Sequence, residues 1–230
     1  MMKSKNKYIS LSHWIDQSTP TYGNQGGFYR KSLSSIKEGK TANSEKWIFN
    51  NHIGTHIDFP KHFNDEGLTS SNFQEPFFIS KNVGFIILKK SILPKEILKV
   101  EDIYDEVISL PKSVEILLLK THFENYRSDP IYWRDNPGFD PALSELFRSH
   151  FTKLKIFGFD TISLTSLHYR LIGKEAHISF LTKENPILII EDMSLARLTL
   201  KSNIKEIFIA EFPVSFSDGS PVNCIAKVVK

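Results

Sequence analysis

Three of the eight histidines and one carboxylate lie within His52-Ile-Gly-Thr-His-Ile-Asp-Phe-Pro-Lys-His62. Imidazole nitrogen and carboxylate oxygen together suit zinc or another first-row divalent metal. His52, Gly54, His56, Asp58, Pro60 and His62 are even-numbered, whereas Ile53, Ile57 and Phe59 are odd. Side chains of an extended chain alternate faces, so one face would carry the ligands and the other would be apolar. Gly54 and Pro60 argue against a helix. A straight strand fails on distance, because four residues at ~3.3 Å rise set His52 and His56 roughly 13 Å apart. Two imidazoles on one ion, each ~2.1 Å from it, approach to about 3 Å. The backbone must bend between them, and Gly54 is the residue that allows it. The spacing therefore predicts a bent loop leaving a strand, with His52, His56 and Asp58 converging on one cation. Any one of these histidines is equally consistent with a surface or core role. The alternation of four potential ligands with apolar residues around a glycine is what points to metal.

The stretch from His52 to His62 resembles the HxGTHxDxPxH signature of the cyclase family of metal-dependent hydrolases, and every fixed position is matched. That family includes bacterial kynurenine formamidases and isatin hydrolases. The resemblance runs from roughly residue 8 to 227 and extends to later segments. Gly158-Phe-Asp-Thr-Ile-Ser163 is similar to the family's GxDTxS strand end, and Glu191-Asp-Met193 to its glutamate segment. Asp218-Gly-Ser-Pro-Val-Asn223 resembles a closing DGSPVR turn with asparagine in place of arginine, and is read here as a structural turn. Lys120-Thr121-His122 resembles a strand-end threonine segment near the family's site.

Two candidates in the distal half gain from this resemblance. By pattern alone, Glu191 ends the apolar run Pro186 to Ile190 and is either a solvated terminus or a placed ligand. The resemblance implies that His177 and Glu191 join Asp58 around a second zinc. Their spacing is longer here, with Glu184-Asn-Pro186 as the inserted stretch. His168 competes with His177 for the same role, and His177 is preferred. His62, set apart by Pro60, is implied to be a general acid/base beside the metal, a role that suits an imidazole of ordinary pKa ~6.5. Zinc is the expected ion, with manganese as an alternative, in one or two copies.

The surrounding chain must position these groups. Two apolar runs, Val83 to Leu88 and Val114 to Leu119, read as strands buried on both faces. Further strands are expected at Tyr8 to Ser12, Trp47 to Asn50, Leu154 to Asp160, Ile187 to Ile190, Glu206 to Ala210 and Cys224 to Val229. Helices are expected at Glu101 to Leu110 and after Asp140, which is placed to cap a helix carrying Leu143, Leu146 and Phe147. Residues 37–46 and 124–139 read as polar loops. Strands interleaved with a few helices indicate one α/β domain over residues 1–230. The resemblance implies a swivelling β/β/α-type fold with a mixed sheet.

Composition narrows the function classes. Forty per cent hydrophobic and 24% charged residues are ordinary globular values. A net charge of +3 gives no basic stripe for nucleic acid. No apolar run approaches the ~20 residues of a membrane span. The basic start, Met1 to Lys7, is followed by no apolar signal core, so a cytoplasmic, soluble protein is expected. A lone cysteine, Cys224, excludes an intramolecular disulfide and any cysteine-rich zinc site.

The chemistry expected is hydrolysis of a small amide, formamide or cyclic amide, since a divalent ion lowers the pKa of bound water from 15.7 to ~7. Arylformamidase is the nearest named activity. Alternatives are a cyclase or dehydratase of a biosynthetic pathway, in which His62 abstracts a proton, and a non-catalytic metal or small-molecule binding module. Trp14, Tyr22, Phe28, Phe59 and Trp133 either line a pocket or pack in the core, and Phe59 stands where the family often has a small residue, which would reshape the pocket. The expected partner is a small-molecule substrate, and the resemblance implies a homodimer or homotetramer.

Overall fold

The computed structural model describes residues 6–182 and 184–229. Of the basic start, Met1 to Lys5 lie outside them. Thirteen strands and four helices follow in order: β1 Asn6–Ser10, β2 Tyr29–Ser34, β3 Ser44–Ile48, β4 His56–Asp58, β5 Ile79–Ser80, β6 Val83–Ile87, β7 Ile97–Leu98, α1 Val100–Ser109 and β8 Ile116–Lys120. Then come α2 Ile131–Arg134, β9 Gly138–Phe139, α3 Ala142–His150, β10 Ile156–Phe159, α4 Arg170–Leu181, β11 Leu188–Glu191, β12 Asn203–Glu211 and β13 Gly219–Val229.

Nine of these strands form one mixed sheet in the order β5-β12-β13-β4-β11-β10-β8-β6, with β1 paired to β13. From β6 through β8 and β10 to β11 the pairing is parallel; from β11 through β4 to β13 and β12 it is antiparallel. The apolar runs chosen from the sequence make the parallel half. Ile116, Leu117, Leu118, Leu119, Ile156, Phe157, Ile189 and Ile190 are essentially inaccessible, as continuous hydrophobic strands covered on both faces must be. Fully burying each such side chain stabilises the fold by about 1.5–3 kcal/mol.

Helices α3 and α4 pack against this half, where Phe147, Phe157 and Phe180 interlock with ring centroids 5.0–5.9 Å apart. Asp140 caps α3 as expected, its Oδ1 accepting the Ala142 N–H at 2.8 Å.

Several elements differ from the sequence expectation. Residues 44–48 are a strand, β3, which forms a hairpin with β2, and none of its side chains is buried. The stretch 124–139 contains the short helix α2 and strand β9. Helix α4 has no clear apolar stripe in sequence and carries Gly173 in its interior, where a Cβ would overlap Thr165. The segment after His52 is a loop only as far as Thr55; His56–Asp58 is a central strand paired on both sides. Among the described residues no helix is long and apolar enough to cross a membrane.

Candidate metal centre

The centre lies where the sheet changes from parallel to antiparallel. Gly54 adopts φ +60°, the left-handed bend expected between the two histidines. His56 and Asp58 then point to one face of β4, while Ile57 is buried on the other. The register sets Glu191 of β11 directly opposite His56, and Gly219 of β13 opposite Asp58. Directly paired residues on one face bring their Cβ atoms to within about 5 Å. Backbone pairing thus places the Glu191 carboxylate beside His56, with Oε2 3.4 Å from Nε2.

His177 arrives from the opposite side on α4. Its Nδ1 lies 2.8 Å from the Gly173 carbonyl, one turn back. A carbonyl only accepts, so Nδ1 carries a proton and Nε2 faces the carboxylates, 3.4 Å from Glu191 Oε1 and 3.6 Å from Asp58 Oδ2. His56 is oriented the same way, its Nδ1 2.8 Å from the Gly54 carbonyl. Fixing one imidazole nitrogen on a carbonyl to present the other is how metal-binding histidines are usually held. Glu191 is held in turn by Ser163 Oγ at 3.1 Å and the Leu164 N–H at 2.6 Å. Ser163 ends the GxDTxS-like segment, which therefore reaches the centre. Thr121 does not: its hydroxyl and N–H donate to Asp160 instead.

His52 sits on the open side. Its Nδ1 is 2.8 Å from Asp58 Oδ1 and its Nε2 3.1 Å from Asp218 Oδ2. The ring lies on Gly219, where any Cβ would overlap it. His62 follows a short turn begun by Pro60 and stacks on His52, with centroids 3.9 Å apart and planes 30° apart. Its Nδ1 also contacts Asp218 Oδ2, at 3.1 Å. Phe63 covers the His177 ring at 4.3 Å.

Six of the expected residues are thus brought together: His52, His56, Asp58, His62, His177 and Glu191. The donor atoms of His52, His56 and Asp58 lie within 4.8 Å of one another, as do those of Asp58, His177 and Glu191; these two groups share Asp58, and a third joins His52, His62 and Asp218. Asp58 is 1% exposed, yet its Oδ2 has no hydrogen-bond partner. A buried carboxylate oxygen left unpaired is costly unless a cation satisfies it. Three imidazoles and two carboxylates around that atom fit one or two divalent ions of the zinc or manganese type.

The electrostatics agree. Burial disfavours charge on His52, but the Asp58 and Asp218 carboxylates outweigh it and raise its pKa to about 10. His177 is likewise opposed by burial and raised to about 9 by the Asp58 and Glu191 carboxylates 3.4–3.6 Å from its Nε2. Burial and the nearby Asp58 charge would raise Glu191, yet the His177 and His56 imidazoles, each 3.4 Å away, bring it down to about 2. Asp58 is held well below the ordinary carboxylate range despite its burial, chiefly by His52. The protein alone thus stores protons on imidazoles that a metal ion would displace.

Asp218 corrects the reading of residues 218–223 as a purely structural turn. Its carboxylate accepts from Asn51 Nδ2 at 2.7 Å and bridges His52 and His62. The matching DGSPV run was the available signal. Arg127 and Tyr132 were not apparent from sequence: they bind both carboxylate oxygens of Asp192, the residue after Glu191, at 2.6–2.9 Å.

His168 stays outside, 3.0 Å from Asp135. Phe59 is wholly buried and stacks on Phe73 at 5.5 Å, so it shapes the core instead of the pocket. Trp133 also packs against the core, Trp14 is 92% exposed, and Phe28 lies in a separate groove. Of the five aromatics considered, Tyr22 lines the cavity over the centre, which measures about 500 Å³. Cys224 is buried and its thiol is pushed up to about 12, which removes it as a nucleophile.

The chain is similar to several known proteins. The family model described as "Putative cyclase" matches residues 9–166. Cyclase-like protein 3 of Arabidopsis thaliana is 28% identical over 123 residues, a match covering 51% of this chain and 43% of that protein's length. An isatin hydrolase crystallised with the product analogue thioisatinate superposes with a TM-score of 0.79 at 15% identity, covering 98% of this chain and 93% of that one. A potential metal-dependent hydrolase with cyclase activity superposes with a TM-score of 0.74 at 15% identity over 97% of this chain and 98% of that one.

Proposed function

Because the chain belongs to the putative cyclase family, we propose that it is a metal-dependent hydrolase that opens a small amide, formamide or cyclic amide. The observation that carries this reading is the unpaired, buried Oδ2 of Asp58 between two histidine–carboxylate groups, beneath a cavity that His62 also lines. His52, His56 and Asp58 would hold one ion, and Asp58, His177 and Glu191 a second. A divalent ion there supplies a Lewis acid and makes water a nucleophile at neutral pH.

The chain's own groups do the rest. Asp218 anchors His62 through Nδ1, which leaves Nε2 to take a proton from attacking water and return it to the leaving nitrogen. Positioned proton transfer of this kind contributes about 10²–10⁴-fold in rate. Phe63 and the buried wall of β4 keep bulk water from His177 and Asp58, which strengthens every charge interaction in the centre.

The test is metal analysis of the purified protein followed by a screen of aryl formamides and lactams in ¹⁸O-labelled water. Hydrolysis puts solvent oxygen into the product, and a product without it would indicate a cyclase or dehydratase instead. His56→Ala should lose bound metal, whereas His62→Ala should retain metal and lose about 10²-fold or more in kcat. Equal metal loss in both variants would make His62 a ligand and remove its role as proton carrier.

A further inference from the structure

Helix α4 brings more into the cavity than His177. Lys174 and Arg170 precede it by one and two turns on the same face, roughly 4.5 and 10.5 Å from it along the helix axis. Both line the cavity that contains the metal-centre residues, and both are exposed. Among the described residues, the charged group of neither makes an ion pair or a side-chain hydrogen bond.

The acidic groups of the same cavity are already engaged. Glu191 is held by Ser163, Leu164 and the two histidines, and Asp192 by Arg127 and Tyr132. Tyr22, on the wall of this cavity, has a buried hydroxyl with no partner. One wall therefore offers a guanidinium, an ammonium and a phenol with nothing in the chain to receive them.

We propose that this wall selects substrates carrying a carboxylate roughly 5–10 Å from the bond that is cleaved. The inference rests on the hydrolase reading for the cleaved bond and on the wall alone for the anion. A guanidinium presents a planar fork that matches a carboxylate, and such charge-assisted bonds are about twice as strong as neutral ones. An uncharged amide would leave both cations solvated and gain nothing from them. Because Arg170 and Lys174 are exposed, salt weakens the selection.

The probes are 4-formamidobenzoate and its uncharged analogue formanilide. Their binding to the metal-loaded full chain is measured by calorimetry and their turnover by formate release, for wild type and for the R170Q/K174Q double variant. Wild type should favour the charged probe about tenfold or more in Kd. The preference should collapse in the variant and shrink at high salt. Both substitutions lie at the exposed start of α4, so the fold is not at risk, and retained metal content checks that. Equal binding of the two probes by wild type, no binding of either, or an unchanged preference in the variant overturns the proposal. Preferential binding without cleavage upholds the carboxylate wall and removes the hydrolase reading.

Discussion

At the scale of single residues, the centre is a competition between protons and metal for the same imidazole nitrogens. His52 and His177 have pKa values raised to about 10 and about 9 in the protein alone. Both folded values exceed the unfolded value of ~6.5, so their contribution to stability is complete below that pH. It is lost as pH climbs through about 9 to 10. Glu191 works in the opposite sense, since its carboxyl is lowered to about 2 and its contribution disappears as pH falls from ~4.5 through that value. At neutral pH the metal-free centre thus holds His52 and His177 protonated beside its carboxylates. Each of these two histidines must shed a proton to bind a cation. Zinc titrations at pH 7, run in two buffers of different ionisation enthalpy, should therefore show release of more than one proton per chain, with affinity rising with pH. Identical heats in the two buffers would contradict this account of the site.

At the scale of elements, the question is what holds Glu191 at the end of β11. The next residue, Asp192, sits at φ +50°, a left-handed conformation uncommon outside glycine though aspartate adopts it more readily than most. It stays there because Arg127 grips both its oxygens, Tyr132 donates to one, and the Thr55 hydroxyl donates to its carbonyl at 2.6 Å. Asp192 is 1% exposed, so removing the guanidinium leaves a buried carboxylate short of its cation, at a cost of about 3 kcal/mol or more. Arg127→Met is expected to lose that stability and also about 10–100-fold in metal affinity, the usual cost of losing a residue that orients a ligand. Competition against a chelating dye measures the second effect. Unchanged affinity in a destabilised variant would show that the clamp is structural only.

The same elements explain which parts of the fold were readable. Ile116–Lys120 stands out because a strand covered on both faces is spelled as an unbroken apolar run. Val83–Ile87 carries the same kind of run but is an edge strand, with only Gly84 and Ile86 buried, so the expectation of burial on both faces fails there. Hairpin β2–β3 is hidden because it buries nothing, and α4 because Gly173 interrupts it. The proximal ligands were legible through alternation around Gly54, a purely local signal. His177 and Glu191 meet Asp58 only through tertiary pairing, so their place rested on resemblance. Asp218 was missed because an aspartate before glycine spells a turn whether or not its carboxylate also serves a site.

At the scale of the whole molecule, the centre joins parts of the chain that the sheet keeps apart. His52 to Asp58 comes from the loop and strand where the two halves meet, Glu191 from the last parallel strand, and His177 from the helix packed over that half. An ion bound there crosslinks the parallel and antiparallel halves, as a contact of long sequence separation. Ligands that bind only the folded state stabilise it by mass action, by about 2.7 kcal/mol at a hundredfold excess over Kd. For a chain of 230 residues each kcal/mol shifts Tm by about 2–4 °C. Metal loading should then raise Tm by roughly 5–10 °C, and chelation should reverse it. Asp58→Asn should abolish the shift, because both donor groups share that carboxylate. His62→Ala should retain it, since His62 belongs to the group with His52 and Asp218 and to neither of the two that contain Asp58. A thermal melt of the three proteins, with and without zinc, reads this directly. A shift that survives Asp58→Asn would mean that the ion binds somewhere other than the junction of the two halves.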